Sequence, residues 1–440
     1  MVAPLKVGIA GLGTVGAEVV RLIEQQNSIL AARCGRGVKV VAVTARSKTK
    51  KRGVDLRGID WMKDPLAVAQ HPDVECFVEL MGGVGDPALS SIEAALRAGK
   101  SVVTANKALI AKHGLKLAAS AEKHGGALNY EAAVAGAIPI IKTIREGLAG
   151  TDINRVYGIL NGTCNYILSR MELEGLSFEE CLKDAQRLGY AEAEPSFDVD
   201  GHDTAQKLAI LASLAFGTKV AQSAVSVEGI SSIAAEDLRA AAELGYRVKL
   251  LGVAMRTATG IEQRVHPTMV PLSSSIAQVM GVTNAVTVDG AGIAPITLVG
   301  PGAGGAATAS AVLADIADVA RGVRALPFGR PVDKLKATTK APMERHEGGY
   351  YIRLMARDLA GTAARIATRL AEQKISLESI VQRHPNGGIE PVGKSTKSSP
   401  VPVILITYAT TEDAMRRALQ AVQSDKVISG KPQVIRIEKN

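Results

Sequence analysis

Between residues 192 and 203 the chain carries Glu192, Glu194, Asp198, Asp200 and Asp203, and no Lys or Arg lies between Leu188 and Gln206 in a protein of net charge +9. Such a patch suits an ammonium group or a metal ion. Asp198-Val199-Asp200-Gly201 superficially matches a calcium loop, but Gly is not at the sixth position and Ala209 stands where the twelfth should be Glu, which argues against calcium. From Asp203 onward the sequence TAQKLAILASLAF is strongly helical, so Asp203 and Lys207, four apart, share one helix face. The plain reading is an exposed ion pair. The sharper one is a lysine kept beside an orienting carboxylate, able to hand a proton to an oxygen that is being reduced.

Proton delivery of that kind calls for a hydride carrier, and the first 130 residues have the form of a carrier's binding domain. Short β-branched runs at 6–10, 38–43, 74–79, 101–104 and 127–130 alternate with amphipathic stretches at 15–26, 87–98 and 111–123, the pattern of a parallel sheet covered by helices. At the first crossover, directly after a strand and opening a helix, stands Gly11-Leu12-Gly13-Thr14-Val15-Gly16. Gly11 makes the tight turn, Gly13 admits a pyrophosphate to the backbone, Gly16 lets helix and strand approach, and the helix N-terminus with Thr14 and Val15 presents free N–H groups.

No acidic residue ends the second strand, where the chain reads Val43-Thr44-Ala45-Arg46-Ser47-Lys48. Arg46 and Lys48 can accept a 2′-phosphate, which favours NADP(H) over NAD(H); the alternative is a solvated basic turn. Gly388 to Ser395 fits the letters of a phosphate-binding P-loop, but the Ser- and Pro-rich stretch after it cannot open the required helix. Gly302, in the second glycine loop Gly300-Pro301-Gly302-Ala303-Gly304-Gly305, also precedes a helical run.

With 440 residues, 47% hydrophobic and 22% charged, the chain is a soluble globular protein of two or three domains. Its charge favours an anionic partner. Five Phe, one Trp and eight Tyr are few for stacking bases, and no long basic block exists, so nucleic acid is not the expected partner. Four scattered cysteines without metal-ligand spacing suit a reducing cytoplasm. No run approaches ~18 apolar residues, so no membrane association is expected.

The stretch Ala185-x3-Gly189-Tyr190-Ala191-x2-Glu194-Pro195-x2-Asp198-Val199-x-Gly201-x-Asp203-x3-Lys207 resembles the signature of the homoserine dehydrogenase family. Val103 to Lys107, Tyr130 to Pro139 and Asn161 to Tyr166 agree in order and spacing, so the resemblance spans nearly the whole chain. Glu194 departs from the Asp, Asn or Ser common there. The resemblance implies reversible NAD(P)-dependent interconversion of L-homoserine and L-aspartate 4-semialdehyde, in the threonine and methionine branch from aspartate. It implies that Lys207 is proton donor and acceptor and Asp203 its orienting partner, that Glu192 binds substrate with Asp198 assisting, and that Lys107 lies beside nicotinamide and substrate. It further makes Gly302 a cofactor contact, and Glu131, Val134, Gly136 and Ile138 a loop for a monovalent cation, sodium or potassium, bound mainly by backbone carbonyls. From composition alone that loop reads as a buried apolar connection. Cys164 lacks a paired His and reads as a packed side chain.

Beyond a basic linker at 331–349, strands at 351–355, 375–382, 401–408 and 434–437 and helices at 362–373 and 412–424 follow a βαββαβ order. This unit resembles an ACT domain, including the Arg357-Asp358-Leu359-Ala360-Gly361 turn, and implies control by an amino-acid effector, threonine being the natural end product. The alternative is a unit used only for subunit pairing. The expected α/β architecture is thus an N-terminal Rossmann domain (1–130, with a return segment at 306–330), a central mixed α/β substrate and dimerisation domain (131–305) and a regulatory domain (350–440), in a homodimer or homotetramer. Rival functions are a related amino-acid dehydrogenase, a catalytically silent ligand sensor and a nucleic-acid-binding protein.

Overall fold

The computed structural model describes residues 2–357, 359–382 and 400–438. Its N-terminal part is a six-stranded parallel sheet in the order β3-β2-β1-β4-β5-β6. β1 (Leu5–Ala10), β2 (Val38–Thr44), β4 (Cys76–Glu79) and β5 (Ser101–Thr104) lie where the apolar runs place them, and β6 is Leu128–Asn129. These strands are near-continuous hydrophobic runs because helices cover both faces. The helices are α1 (Thr14–Cys34), α2 (Pro65–Gln70), α3 (Ala88–Arg97) and α4 (Lys107–His124).

Two elements go unseen in the sequence. β3 (Asp60–Trp61) is too short for a periodicity, and α2 announces itself only through its start, where Asp64 accepts a bond from Ala67 N and Pro65 opens the first turn. α1 runs past residue 26 to Cys34, because the polar stretch at 25–28 still carries the buried ridge to Leu30, and Gly35 ends it in the left-handed conformation. α4 starts at Lys107, not 111, since the Asn106 side chain caps it by accepting from Leu109 N. That shift puts Lys107 at the carboxyl edge of the sheet, where ligands of such sheets bind.

After a 3-10 turn (Glu131–Ala133), α5 (Ile140–Lys142) and a wide turn at Thr143–Gly147, the chain enters a second sheet. It contains β7 (Ile153–Ile159), β8 (Ser226–Val227), the long hairpin β9 (Tyr246–Thr257) and β10 (Gly260–Pro271), β11 (Thr283–Gly290) and β12 (Ile296–Pro301). With it come α6 (Gly162–Glu174), α7 (Phe178–Arg187), α8 (Ser196–Val199), α9 (His202–Phe216) and α10 (Ala235–Glu243). α9 is apolar nearly all round and accordingly buried nearly all round, which carries Asp203 and Lys207 into the interior. α11 (Gly305–Ala320) then returns to pack on α1, and its Ala309, Val312 and Ile316 complete the core around Val7, Ile9 and Val19.

The last part follows β13 (Glu347–Ala356), α12 (Thr362–Glu372), β14 (Leu377–Gln382), β15 (Val401–Thr407), β16 (Thr410–Thr411), α13 (Glu412–Ser424) and β17 (Ile428–Ile437). Its antiparallel strand order is β17-β13-β15-β14, with a core of its own around Ile352, Leu405 and Ala418. β17 also pairs in parallel with β10, Thr268 opposite Arg436 and Met269 opposite Ile437, so the central and C-terminal strands form one eleven-stranded sheet. Asp358 and the Gly388 to Ser395 stretch lie outside the described residues. No helix among the described residues is long and apolar enough to cross a membrane.

A second tie between these parts is ionic. Asp237 on α10, 0% exposed, accepts from Arg353 Nε at 2.7 Å, Arg353 Nη2 at 3.0 Å and Tyr351 Oη at 3.0 Å. Asp237→Ala strands a half-buried guanidinium and a buried hydroxyl, and is expected to cost about 3 kcal/mol. Urea unfolding followed by circular dichroism measures it; a wild-type midpoint would show that the pair holds nothing.

Candidate active site

Gly11 ends β1 with φ +103, its N–H donating to Thr44 O at 3.0 Å, and a side chain there would place Cβ 2.5 Å from Leu80 O. A Cβ on Gly16 would collide with the Gly11 carbonyl, whereas one on Gly13 would meet nothing within 4 Å. The loop is therefore tight at both ends and open in the middle. α1 has no side-chain cap, so the first-turn amides of Thr14 and Val15 face that opening. α11 is likewise uncapped, and a Cβ on Gly305 would lie 2.8 Å from Thr14 Cγ2, so two free helix N-termini meet. Gly302 serves differently: it lies against the Asn284 side-chain amide and the Gly136 backbone, and it is Gly305 that adjoins the first loop. This cradle fits a dinucleotide pyrophosphate.

Arg46 is exposed after β2. The residue that shapes its surroundings is Arg52, which in the sequence is one more residue of a basic turn. Its Nε donates to Leu12 O at 2.9 Å, Nη1 to Lys50 O at 2.6 Å and Nη2 to Ser47 O, with the guanidinium 5.4 Å from the Trp61 ring centroid. The basic loop is thereby tied to the glycine loop.

At the carboxyl end of β4 and β5, Glu79 accepts from Thr104 Oγ1 at 2.6 Å and from Met81 N at 2.7 Å, and Asn106 Nδ2 donates to Gly83 O at 2.7 Å. These bonds fix the start of α4 and aim Lys107 at α9, where its Nζ lies 2.5 Å from Asp203 Oδ1. Lys207 Nζ donates to Asp203 Oδ2 at 2.7 Å and to Leu160 O at 2.7 Å. An ammonium has three protons, so one is left for an oxygen in the cleft.

Asn161 completes the cluster, although its sequence context signals only a helix cap. Its Oδ1 caps α6 by accepting from Cys164 N at 2.8 Å, while its Nδ2 donates to Asp198 Oδ1 at 2.8 Å and Asp203 Oδ2 at 3.0 Å. An Asn before a helical run signals a cap; its second use depends on tertiary structure. Burial alone would push the Asp203 carboxyl up, but Lys207 and Lys107 outweigh it and hold Asp203 well below the usual carboxylate range. Asp198 is raised, by burial and by the charge of Asp203, against the opposing Asn161 bond.

The structure thus joins Lys107, Asp198, Asp203 and Lys207. It does not bring in Glu192, which is exposed, its carboxylate without a hydrogen bond among the described residues while its carbonyl accepts from Gln186 Nε2 at 3.1 Å. Cys164 is buried, donates to Asp198 O at 3.3 Å, and has its thiol pushed well up by burial, which suits a packed side chain.

In the loop after β6, the Glu131 carboxylate accepts from Ile141 N at 2.8 Å and Lys142 N at 2.9 Å, and the Glu131 N–H donates to Asp315 Oδ2 at 2.9 Å. Burial and Asp315 raise Glu131 to about 7. The carbonyls of Val134 and Gly136 accept no hydrogen bond among the described residues, while that of Ile138 accepts from Ile140 N at 2.8 Å. Free carbonyls are hard oxygen donors, so this donor set fits a hard cation.

A doubly wound nucleotide-binding sheet whose carboxyl edge delivers a lysine to a second lysine and a carboxylate defines a nicotinamide-dependent oxidoreductase. Residues 11–131 match the family model for the homoserine dehydrogenase NAD binding domain, and residues 139–317 the model for homoserine dehydrogenase. The chain is 43% identical to a homoserine dehydrogenase of Pseudomonas aeruginosa over 99% of both chains, and 39% identical to one of Mycobacterium tuberculosis over 99% of this chain and 98% of that one. A homoserine dehydrogenase structure from Thiobacillus denitrificans superposes with TM-score 0.91 at 41% identity, covering 99% of this chain and 98% of that one. A hyperthermophilic archaeal homoserine dehydrogenase in complex with NADPH superposes with TM-score 0.62 at 26% identity, covering 74% of this chain and 100% of that one.

The chain belongs to the homoserine dehydrogenase family. It is an NAD(P)-dependent oxidoreductase acting on a CH–OH group, which interconverts L-homoserine and L-aspartate 4-semialdehyde in threonine and methionine biosynthesis.

Removing the Asn161 bond takes a stabilising partner from ionised Asp198, so Asn161→Leu should raise the carboxyl's pKa further. The acid limb of the kcat/KM profile for homoserine is expected to move to higher pH. An unmoved limb would show that Asp198 ionisation does not govern turnover.

Proposed function

We propose that Lys207 is the proton donor and acceptor at the substrate oxygen. The observation that carries this is the ammonium of Lys207, a residue only 8% exposed, with two of three donors taken by Asp203 and Leu160 O and the third free. Asp203 orients Lys207 for proton delivery in aldehyde reduction. In the reverse direction Lys207 takes the hydroxyl proton of homoserine. Lys107, 35% exposed in its side chain, forms the wall between the coenzyme cleft and the substrate. Asp198 and the free carboxylate of Glu192 receive the substrate ammonium. The bound nicotinamide supplies the hydride, or accepts it.

Gly11, Gly13, Thr14, Val15 and Gly16 hold the pyrophosphate, with the α11 N-terminus and Gly302 behind it. Arg46 selects NADP(H) over NAD(H), a reading supported by the missing carboxylate after β2. Sodium or potassium binds the carbonyls of Glu131, Val134, Gly136 and Ile138. The C-terminal unit is an ACT-like regulatory domain answering to threonine, in a cytoplasmic homodimer or homotetramer; the four unpaired cysteines support that compartment. The core shared by α1 and α11 supports a discontinuous coenzyme domain, 1–130 with 306–330.

Homoserine-dependent absorbance of reduced nicotinamide, with NADP and NAD side by side and potassium supplied, tests the reading. Lys207→Ala should lose turnover by roughly 100-fold or more while still binding coenzyme; near-normal turnover removes Lys207 from its role. Faster reduction of NAD than NADP would overturn the Arg46 assignment. L-threonine is expected to inhibit the same assay, and full activity at saturating threonine would leave the C-terminal unit to assembly.

A further inference from the structure

The turn between Asp198 and Asp203 is held from behind by a segment that reaches the C-terminal unit. Ile230 N donates to Val199 O at 2.9 Å, a Cβ on Gly229 would lie 2.6 Å from Asp200 Cα, and one on Gly201 would lie 3.0 Å from Val265 Cγ1. Residues 227–230 therefore press backbone to backbone on the junction of α8 and α9, while Glu228 N donates to Val265 O at 2.7 Å and so anchors them to β10.

Glu228 carries the link onward. Its carboxylate accepts from Arg436 Nη1 at 2.9 Å and Nη2 at 2.8 Å, a two-pronged contact with β17. Arg436, 7% exposed, also donates to Glu412 at 3.0 Å and 2.8 Å, at the first residue of α13, and Glu412 accepts from Tyr350 Oη at 2.9 Å. The Glu228 side chain is 53% exposed. Without the guanidinium it would be free to turn into solvent, since the fork fixes direction as well as distance.

We propose that Arg436, acting through Glu228, is a positioning residue for the reaction: it holds residues 227–230 against Val199, Asp200 and Gly201 and so keeps Asp198 and Asp203 in register with Lys207. The proposal rests on the assignment of those three residues to catalysis and substrate binding. A contact that merely fastened the C-terminal unit would alter stability and leave the kinetic constants of the folded enzyme alone. A positioning contact acts on the substrate side of the site and spares the Gly11 to Gly16 coenzyme loop, which belongs to the other sheet.

The test is steady-state kinetics of the full chain carrying Glu228→Ala, a half-exposed position that leaves Arg436 paired to Glu412. The expected result is a fall of about tenfold in kcat/KM for homoserine with the coenzyme KM unchanged. Glu228→Gln, which keeps a neutral acceptor, should lie between. Arg436→Lys, lacking the fork, should lose activity in the same direction, and the double variant should be no worse than the more impaired single one. Wild-type kcat/KM in Glu228→Ala, additive losses in the double variant, or an equal rise in the coenzyme KM would overturn the proposal. If Lys207→Ala is inactive while Glu228→Ala is normal, the positioning role alone falls; if Lys207→Ala is active, the catalytic assignment beneath it falls.

Discussion

Asp203 is a buried anion between two cations that arrive from different halves of the molecule. Lys107 comes from the first sheet and Lys207 from α9 under the second, and both reach the same carboxylate. A carboxylate at 3% exposure is costly unless paired and hydrogen-bonded. Here Lys107 and Lys207 pair its charge and Asn161 adds a hydrogen bond, so losing any one leaves the buried carboxylate less well satisfied. The chemical cluster is therefore also an electrostatic joint between coenzyme side and substrate side. Its geometry depends on the helix start at Lys107 and on the turn that launches α9.

Around that joint the glycines act by what they leave out. Gly13 keeps open the space in front of an uncapped helix, while Gly136 and Gly302 let the candidate cation loop lie directly on the second glycine loop, with Ala137 N donating to Pro301 O at 3.1 Å. Loop, cradle and cluster are consequently one continuous body of backbone. The Glu131 carboxylate, spent on two amides of α5, shapes that body.

Much of this was legible in the sequence because it is local. The strand and helix runs of the first 130 residues, the Gly11 to Gly16 crossover, the i,i+4 pair Asp203 and Lys207, and the βαββαβ order each leave a periodicity or spacing in a short window. What escaped depends on distant partners. Arg52 reads as one more basic residue until its guanidinium is seen gathering Leu12 O, Ser47 O and Lys50 O. Asn161 reads as a helix cap until both carboxylates converge on its other atom. The parallel pairing of β17 with β10 joins residues far apart in the chain, and no spacing announces it. Glu192 shows the converse: it belongs to the acidic run read from the sequence, yet its carboxylate makes no hydrogen bond to the cluster among the described residues.

The path of α11 has a consequence for how the chain comes into being. Val7, Ile9 and Val19 share their core with Ala309, Val312 and Ile316, so during synthesis the first sheet emerges with one flank bare until the ribosome has delivered residue 320. Domains begin folding as they are made, at about 5–20 residues per second. The earliest structure in this protein must therefore wait tens of seconds for its final helix, with apolar surface open to the cell's chaperones in the meantime.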